Sequence, residues 1–146
     1  MPNAPRTIYL IRQTQLAVSA LLQEAMQKYD LTASQYTILS IVCHRSGISS
    51  ADLARRISVT PQSINEVISS LERLRLVSRQ EAPDNRRILQ ITITPAGKRL
   101  LAACDKTVDE IEAGLFRSLS QRELSTLDEL LQKILADFRA EAKVSA

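Results

Sequence analysis

The 146-residue sequence predicts a mostly α-helical protein that carries one small β-hairpin. Apolar residues recur at three- and four-residue spacing along most of the chain, which is the period of an amphipathic helix. Only three glycines and five prolines interrupt that pattern. One stretch, Leu89 to Thr94, instead alternates apolar and polar residues as a half-buried strand does.

Two helices are predicted before residue 46. The first runs from about Arg6 to Tyr29, and the second follows a capping box at Thr32 and continues to about Arg45. His44 lies at the C-terminal end of the second helix, where a positive charge is favourable for the helix dipole. This position gives His44, the only histidine of the sequence, a structural role that requires no functional site.

The segment that follows predicts two helices joined by a tight turn. Ser49 caps a short helix, Ser58-Val59-Thr60 is the turn, and Pro61 occupies the first position of the next helix, where its missing N–H costs nothing. This order is a helix-turn-helix. Glycine is frequent at the first turn residue, so Ser58 is expected to carry some strain if the turn requires positive φ.

The outward face of the second of these helices carries short or planar hydrogen-bonding side chains rather than a Glu/Lys mixture. The candidate residues on and next to this face are Thr60, Gln62, Ser63, Asn65, Glu66, Ser69 and Arg73. Such groups at a helix N-terminus suit base edges and phosphates in the DNA major groove. A solvated polar face is the alternative for this helix alone, but the helix and turn before it favour DNA binding.

A basic hairpin is predicted directly after this helix pair. Its first strand runs from Leu76 to Glu81, and its tip carries Asp84, Arg86 and Arg87. A β-hairpin in this position is a wing, and its arginines can enter the narrow minor groove. Asp84 is expected to orient one of the arginines. Solubility is the alternative explanation for arginines on a turn.

Two long helices complete the prediction, one from Pro95 to about Phe116 and one after a capping box at Ser120. Their heptad-like stripes have more apolar surface than a small winged domain can cover, which predicts dimerisation. Packing within one chain is the alternative. The predicted organisation is a single unit of residues 1–146, with a winged helix-turn-helix at about 32–97 and dimerisation helices at 6–29 and 95–142.

The net charge of +3 is unevenly distributed. Residues 1–44 carry three basic and two acidic side chains, residues 45–99 carry ten and five, and residues 100–146 carry six and nine. The net charges are therefore +1, +5 and −3. The positive charge lies on the segment with the helix-turn-helix and the wing, as a phosphate-binding surface requires.

Several classes of protein do not fit the composition. The start MPNAPR lacks the apolar run of a signal peptide, and no apolar run is long enough for a membrane span. Cys43 and Cys104 do not form a disulfide framework, so the chain is expected to be cytoplasmic with reduced thiols. One histidine, two distant cysteines and no Gly-rich phosphate loop argue against an enzyme, a metal site and a cofactor.

The sequence resembles the MarR (multiple antibiotic resistance regulator) family over nearly its whole length. The hairpin segment Asp84-x-Arg86-Arg87, followed by Ile93-Thr94-Pro95-Ala96-Gly97, is similar to the family's D-x-R…L-T-x-x-G signature. The resemblance implies a homodimeric regulator, usually a repressor, released from a palindromic operator by a small ligand or an oxidant. Glu66 departs from the basic or hydroxyl residue common there, and Arg75-Leu76 stands where Lys-Gly is usual.

The resemblance also implies an effector, for which the sequence offers candidates by residue type and region only. Many members bind aromatic carboxylates or phenols, which an arginine can pair with and a tyrosine can stack on. The candidate residues are Tyr9, Arg12, Tyr36 and His44, for which structural roles are the alternative. Oxidant sensing by Cys43 or Cys104 remains a second possibility, although both lie on apolar stripes. A winged-helix protein-interaction module is the rival from a different class.

Overall fold

The structure, a computed structural model, describes the backbone of residues 4–144 and the side chains of residues 4–141. Its elements in chain order are α1 (Thr7–Gln27), α2 (Ala33–His44), β1 (Ile48–Ser49), α3 (Ser50–Ile57), α4 (Pro61–Arg73), β2 (Val77–Ala82), β3 (Asn85–Ile93), α5 (Pro95–Leu115) and α6 (Gln121–Val144). The predicted fold class, mostly helical with a small β-wing, is confirmed. The ends of the predicted 1–146 unit, residues 1–3 and 145–146, lie outside the described residues.

One hydrophobic core holds the middle of the chain together. Its fully buried members come from the end of α1, from α2, α3, α4 and β3, and from α5: Met26, Ile38, Leu39, Val42, Leu53, Ile64, Ile68, Leu71, Ile91 and Cys104. Burial of apolar side chains on this scale fixes α3 and α4 relative to the hairpin. The helix-turn-helix and the wing are therefore parts of one packed unit. No helix of the described chain is long and apolar enough to cross a membrane.

The sheet has three antiparallel strands in the order β1-β3-β2. The β2–β3 hairpin was predicted, but β1 was not. This strand is only two residues long, and it pairs Ile48 with Ile91 and Ser49 with Gln90. A two-residue strand is too short to show an alternating pattern, so no sequence periodicity could have indicated it.

Three non-glycine residues adopt the left-handed conformation, each just beyond the end of a helix. They are Asp30 (φ 55°), Ser58 (φ 54°) and Arg75 (φ 58°). The turn between α3 and α4 does require positive φ at Ser58, which was the condition for strain at this residue. Arg75 ends α4 in the same way and turns the chain into the wing. The strained residue of this turn into the wing is therefore Arg75, and Leu76 after it is buried.

Gly97 is needed where the first turn of α5 packs on the wing. A Cβ atom added to Gly97 would clash with the carbonyl oxygen of Leu76 and would lie 2.8 Å from Cγ1 of Ile93. The backbone of α5 can approach the base of the hairpin this closely only without a side chain.

The apolar stripe of α1, predicted as a dimerisation helix, is only partly covered in the single chain. Ile8 is 75% exposed and Ile11 44%, and Met26 is the only residue of α1 that is buried. On α6, Leu131, Ile134 and Phe138 are also exposed. The apolar stripes at the two ends of the chain therefore do not cover each other, and packing of all the helices within one chain is not observed.

Candidate nucleic-acid interface

The start of α4 is fixed by Thr60. Its side-chain oxygen accepts a hydrogen bond from the backbone N–H of Ser63 at 3.2 Å, and the two hydroxyl groups lie 2.9 Å apart. Pro61 follows at the first helical position. The predicted proline start is therefore confirmed, and Thr60 is the residue that caps it. Both hydroxyl-bearing residues are exposed at the end of the helix where positive partial charge attracts phosphate.

The outward face of α4 carries amide groups at solvent. Gln62, Asn65 and Glu66 are exposed, whereas Ile64 and Ile68 of the opposite face are buried. The Gln62 side-chain amide donates to the Glu66 carboxylate at 3.4 Å, a long and therefore weak hydrogen bond. These side chains can exchange their present contacts for hydrogen bonds to base edges.

The other two candidates on α4 differ in their exposure. Arg73 lies exposed in the last turn of the helix. Ser69 is half-buried, and its hydroxyl already accepts a hydrogen bond from Arg79 of β2 at 3.3 Å. Ser69 therefore contributes to the packing between α4 and the wing, a role that the sequence pattern did not indicate.

Arg79 is the residue of this surface that the sequence analysis missed. Besides Ser69, its guanidinium group donates to the backbone carbonyl of Asn65 at 3.5 Å. Its Nε atom lies 3.5 Å from Glu72 Oε2, within ion-pair distance but without a hydrogen bond. Arg79 comes two residues after the buried Val77, and strand alternation puts both side chains on the same face. That spacing is the signal that could have placed Arg79 against α4.

The wing presents its arginines fully to solvent. Arg86 and Arg87 are exposed at the start of β3, and the backbone N–H of Arg87 donates to the Asn85 side chain at 3.0 Å. Arg86 Nε lies 3.8 Å from a carboxylate oxygen of Glu81 across the hairpin. The expected orienting role of Asp84 is therefore corrected, because the carboxylate beside Arg86 is that of Glu81. An exposed ion pair of this length is weak, so Arg86 can leave it for a phosphate.

The candidate effector residues lie in different surroundings. The Tyr36 hydroxyl donates to Asp105 of α5 at 2.9 Å, and burial together with this carboxylate raises the pKa of Tyr36. Tyr9 and Arg12 lie on the exposed first half of α1. In the last turn of α2, His44 donates a hydrogen bond from Nδ1 to the Ser40 carbonyl oxygen at 2.8 Å.

A small cavity of about 160 Å³ lies beside His44. Its other lining residues are Ser40, Ile41, Arg45 and Arg56, so it contains none of the remaining three effector candidates. Among the described residues, no group of three His, Cys, Asp or Glu side chains is arranged to hold a metal ion.

The helix-turn-helix, the exposed polar face of α4 and the basic β2–β3 hairpin define a winged-helix DNA-binding protein. A sequence profile of the MarR family matches residues 29–88, which contain all three features. The HTH-type transcriptional repressor Rv2887 of Mycobacterium tuberculosis is 28% identical over 129 residues, which are 88% of this chain and 93% of that protein. The multiple antibiotic resistance protein MarR of Escherichia coli is 25% identical over 131 residues, 89% of each chain.

The fold has the same relatives among solved structures. The DNA complex of MepR from S. aureus superposes with a TM-score of 0.77 at 24% identity, covering 92% of this chain and 99% of that one. In sequence and in fold the chain is similar to the MarR family of winged-helix transcriptional regulators. It is a DNA-binding regulator and not an enzyme.

Proposed function

We propose that the protein is a transcriptional repressor that binds a pseudo-palindromic operator as a homodimer and is released from it by a small ligand. The observation that carries this proposal is the exposed amide face at the start of α4, held against the basic wing by Arg79. In this arrangement Gln62 and Asn65 would contact base edges in the major groove. Arg86 and Arg87 would contact phosphates or the minor groove beside it.

The dimer is proposed from the apolar faces that one chain leaves uncovered. Ile8, Leu10 and Ile11 of α1, and Leu131, Ile134 and Phe138 of α6, are all at least 40% exposed. Exposed apolar patches of this kind mark interaction surfaces, and a second copy of the chain would bring two such patches together. Two-fold symmetry then predicts two operator half-sites about one helical turn apart.

The proposed effector is a small aromatic acid or phenol bound where the dimerisation helices meet the winged domain. Arg12 would pair with a carboxylate, and Tyr9, Tyr36 and His44 would surround the ring. In the single chain Tyr36 is held by Asp105, so a phenol or carboxylate would have to compete with this contact. A ligand releases the dimer from DNA only if it binds more tightly to a conformation that does not fit the operator than to the conformation that does.

Oxidant sensing is the alternative signal, and the described thiols give it little support. Cys104 is fully buried, and burial together with the charge of Asp105 raises the pKa of its thiol, which lowers the thiolate fraction. Cys43 is half-buried on α2. The named relatives are bacterial, and bacterial DNA lies in the cytoplasm, so the proposal includes a cytoplasmic location.

The proposal is tested by DNA pull-down with sequencing of the bound fragments, repeated with salicylate, benzoate, phenol and uncharged benzyl alcohol. We expect a few enriched fragments that share an inverted repeat, with release by at least one of the aromatic acids or phenol. Arg12→Ala should retain the fragments but lose the response, whereas Cys43→Ser should keep both. Failure to enrich any DNA would instead favour a protein-interaction module. If peroxide released the wild type from DNA but did not release Cys43→Ser or Cys104→Ser, a redox switch would be favoured.

A further inference from the structure

A cavity lined by arginines lies where α6 approaches the DNA-binding half of the chain. It has a volume of about 380 Å³. Its lining comes from the end of α2, from β1, from α3 and from α6: Arg45, Ser46, Gly47, Ile48, Asp52, Arg55, Arg56 and Arg139. None of these residues belongs to α4 or to the β2–β3 hairpin, so the cavity is distinct from the proposed DNA surface.

The charges around this arginine cavity are unbalanced. Among the eight lining residues that the structure describes, Asp52 is the one carboxylate against four guanidinium groups, which gives these residues a formal charge of +3. Asp52 is already engaged, because it forms an ion pair with Arg55 and accepts a hydrogen bond from the Ser49 hydroxyl at 2.7 Å. The surplus positive charge therefore comes from Arg45, Arg56 and Arg139.

Two further observations show that these three guanidinium groups lie close together and that part of the cluster is buried, although Arg45 itself is exposed. The Nε atom of Arg139 is buried and has no hydrogen-bond partner among the described residues. The pKa of Arg56 is lowered by burial and by the charges of Arg139 and Arg45. A bound anion would relieve both conditions, because it supplies acceptors for buried N–H groups and cancels like-charge repulsion.

We propose that the arginine cavity binds a small multivalent anion, carrying a phosphate group or several carboxylates, through Arg45, Arg56 and Arg139. Guanidinium groups present paired N–H donors that match carboxylate and phosphate oxygens. The volume lies in the range of small-molecule sites. The small cavity beside His44 shares Arg45 and Arg56, so a ligand ring or chain has space to extend there.

Such a ligand would connect two parts of the protein. Arg139 lies on α6, a proposed dimerisation helix, whereas Arg45 and Arg56 belong to the winged half. An anion held by all three would fix the angle between these parts and thereby the spacing of the two α4 helices. This consequence for DNA binding rests on the proposed function, but binding of the anion itself does not.

The test is isothermal titration of the full-length protein with pyrophosphate and with citrate, in Tris buffer at constant ionic strength and without DNA. We expect the wild type to bind at least one of the two probes, and the tighter probe identifies the chemistry of the ligand. Arg139→Gln and Arg56→Gln should each weaken binding roughly tenfold or more, since each loses a charge-assisted hydrogen bond. Arg122→Gln, an exposed position in the first turn of α6, has the same change in charge and should bind like the wild type.

Circular dichroism establishes that each variant is folded, and Arg139→Lys replaces Arg139→Gln if the latter is not. Absence of binding in the wild type would overturn the proposal and would mean that the arginines are neutralised within the protein. Equal binding by the wild type and both cavity variants would overturn it as well. If DNA binding by Arg139→Gln depended less on salt than DNA binding by the wild type, with no anion added, the arginines of the cavity would instead contact DNA phosphates. Because the titration contains no DNA, its failure is separate from failure of the proposed repressor function.

Discussion

Arg79 of β2 donates a hydrogen bond to the Ser69 hydroxyl of α4 over 3.3 Å and so connects the wing to the recognition helix, as α4 is called from here on. The same guanidinium group reaches the Asn65 carbonyl and lies beside the Glu72 carboxylate. Three positions of the recognition helix are thus held by one side chain of the wing. DNA contacts from the two elements are therefore made at a fixed separation.

Replacing Arg79 with Ala should lower both stability and DNA affinity. The loss of these polar contacts is expected to reduce the free energy of unfolding by about 1–3 kcal/mol, because Ser69 and Glu72 lose a partly buried partner. Urea denaturation and fluorescence anisotropy with an operator fragment measure the two effects. Gln80→Ala, at the exposed neighbouring position of β2, is the control. Equal stability and affinity in the two variants would show that Arg79 does not join the wing to the helix.

The two glycines of α5 should respond in opposite directions to the same change. Gly97→Ala places a methyl group against the Leu76 carbonyl and Ile93, which should destabilise the fold by about 1–3 kcal/mol through overpacking. Around Gly114 no described atom lies within 4 Å of an added Cβ, so Gly114→Ala should stabilise by about 1 kcal/mol through helix propensity. Thermal unfolding of both variants checks the pair. A stabilising Gly97→Ala would contradict the close contact between α5 and the wing.

Arg86→Ala should weaken binding to all DNA sequences to a similar degree. If one phosphate contact is lost, the slope of log affinity against log salt should fall by about 1. Arg117→Ala, at an exposed position between α5 and α6, is the control and should leave the slope unchanged. An affinity and slope equal to those of the wild type would mean that the wing does not touch DNA. A loss confined to A/T-rich flanks would instead indicate a minor-groove contact.

Charged residues on the apolar face of α6 should dissociate or unfold the protein. Leu131 is 41% exposed and Leu127 half-buried in the single chain, and the proposed dimer would bury both. Light scattering of Leu127→Glu/Leu131→Glu at micromolar concentration should show loss of the dimer. Ser125→Glu adds the same charge to an exposed polar position of α6 and should remain dimeric. A monomeric wild type would contradict the proposed assembly.

Short-range patterns predicted most of this structure. Caps and periodic apolar residues located the helices, and the left-handed conformation of Ser58 was suggested by the glycine that is frequent at this position of such turns. The role of Arg79 and the arginine cavity could not be predicted in this way, because they depend on contacts between distant segments. Arg139 and Arg56, for example, are brought together only when α6 returns to α3.

The apolar stripe of α1 was correctly identified, but periodicity does not show whether the partner surface belongs to the same chain or to another. The buried Met26 and the exposed Ile8 lie on the same helix and belong to the same pattern. Only the three-dimensional structure shows where the core of the single chain ends.

Hydroxyl-radical footprinting on a fragment recovered by the pull-down tests the central claim most directly. Two recognition helices related by a two-fold axis should protect two half-sites with inverted sequence, centred about one helical turn apart. The stoichiometry at saturation should be two protomers for each such site. Gln62→Ala or Asn65→Ala should reduce the affinity for the site without moving the protected positions. A single asymmetric protected stretch, saturated by one protomer, would contradict the account of a homodimer on a pseudo-palindrome.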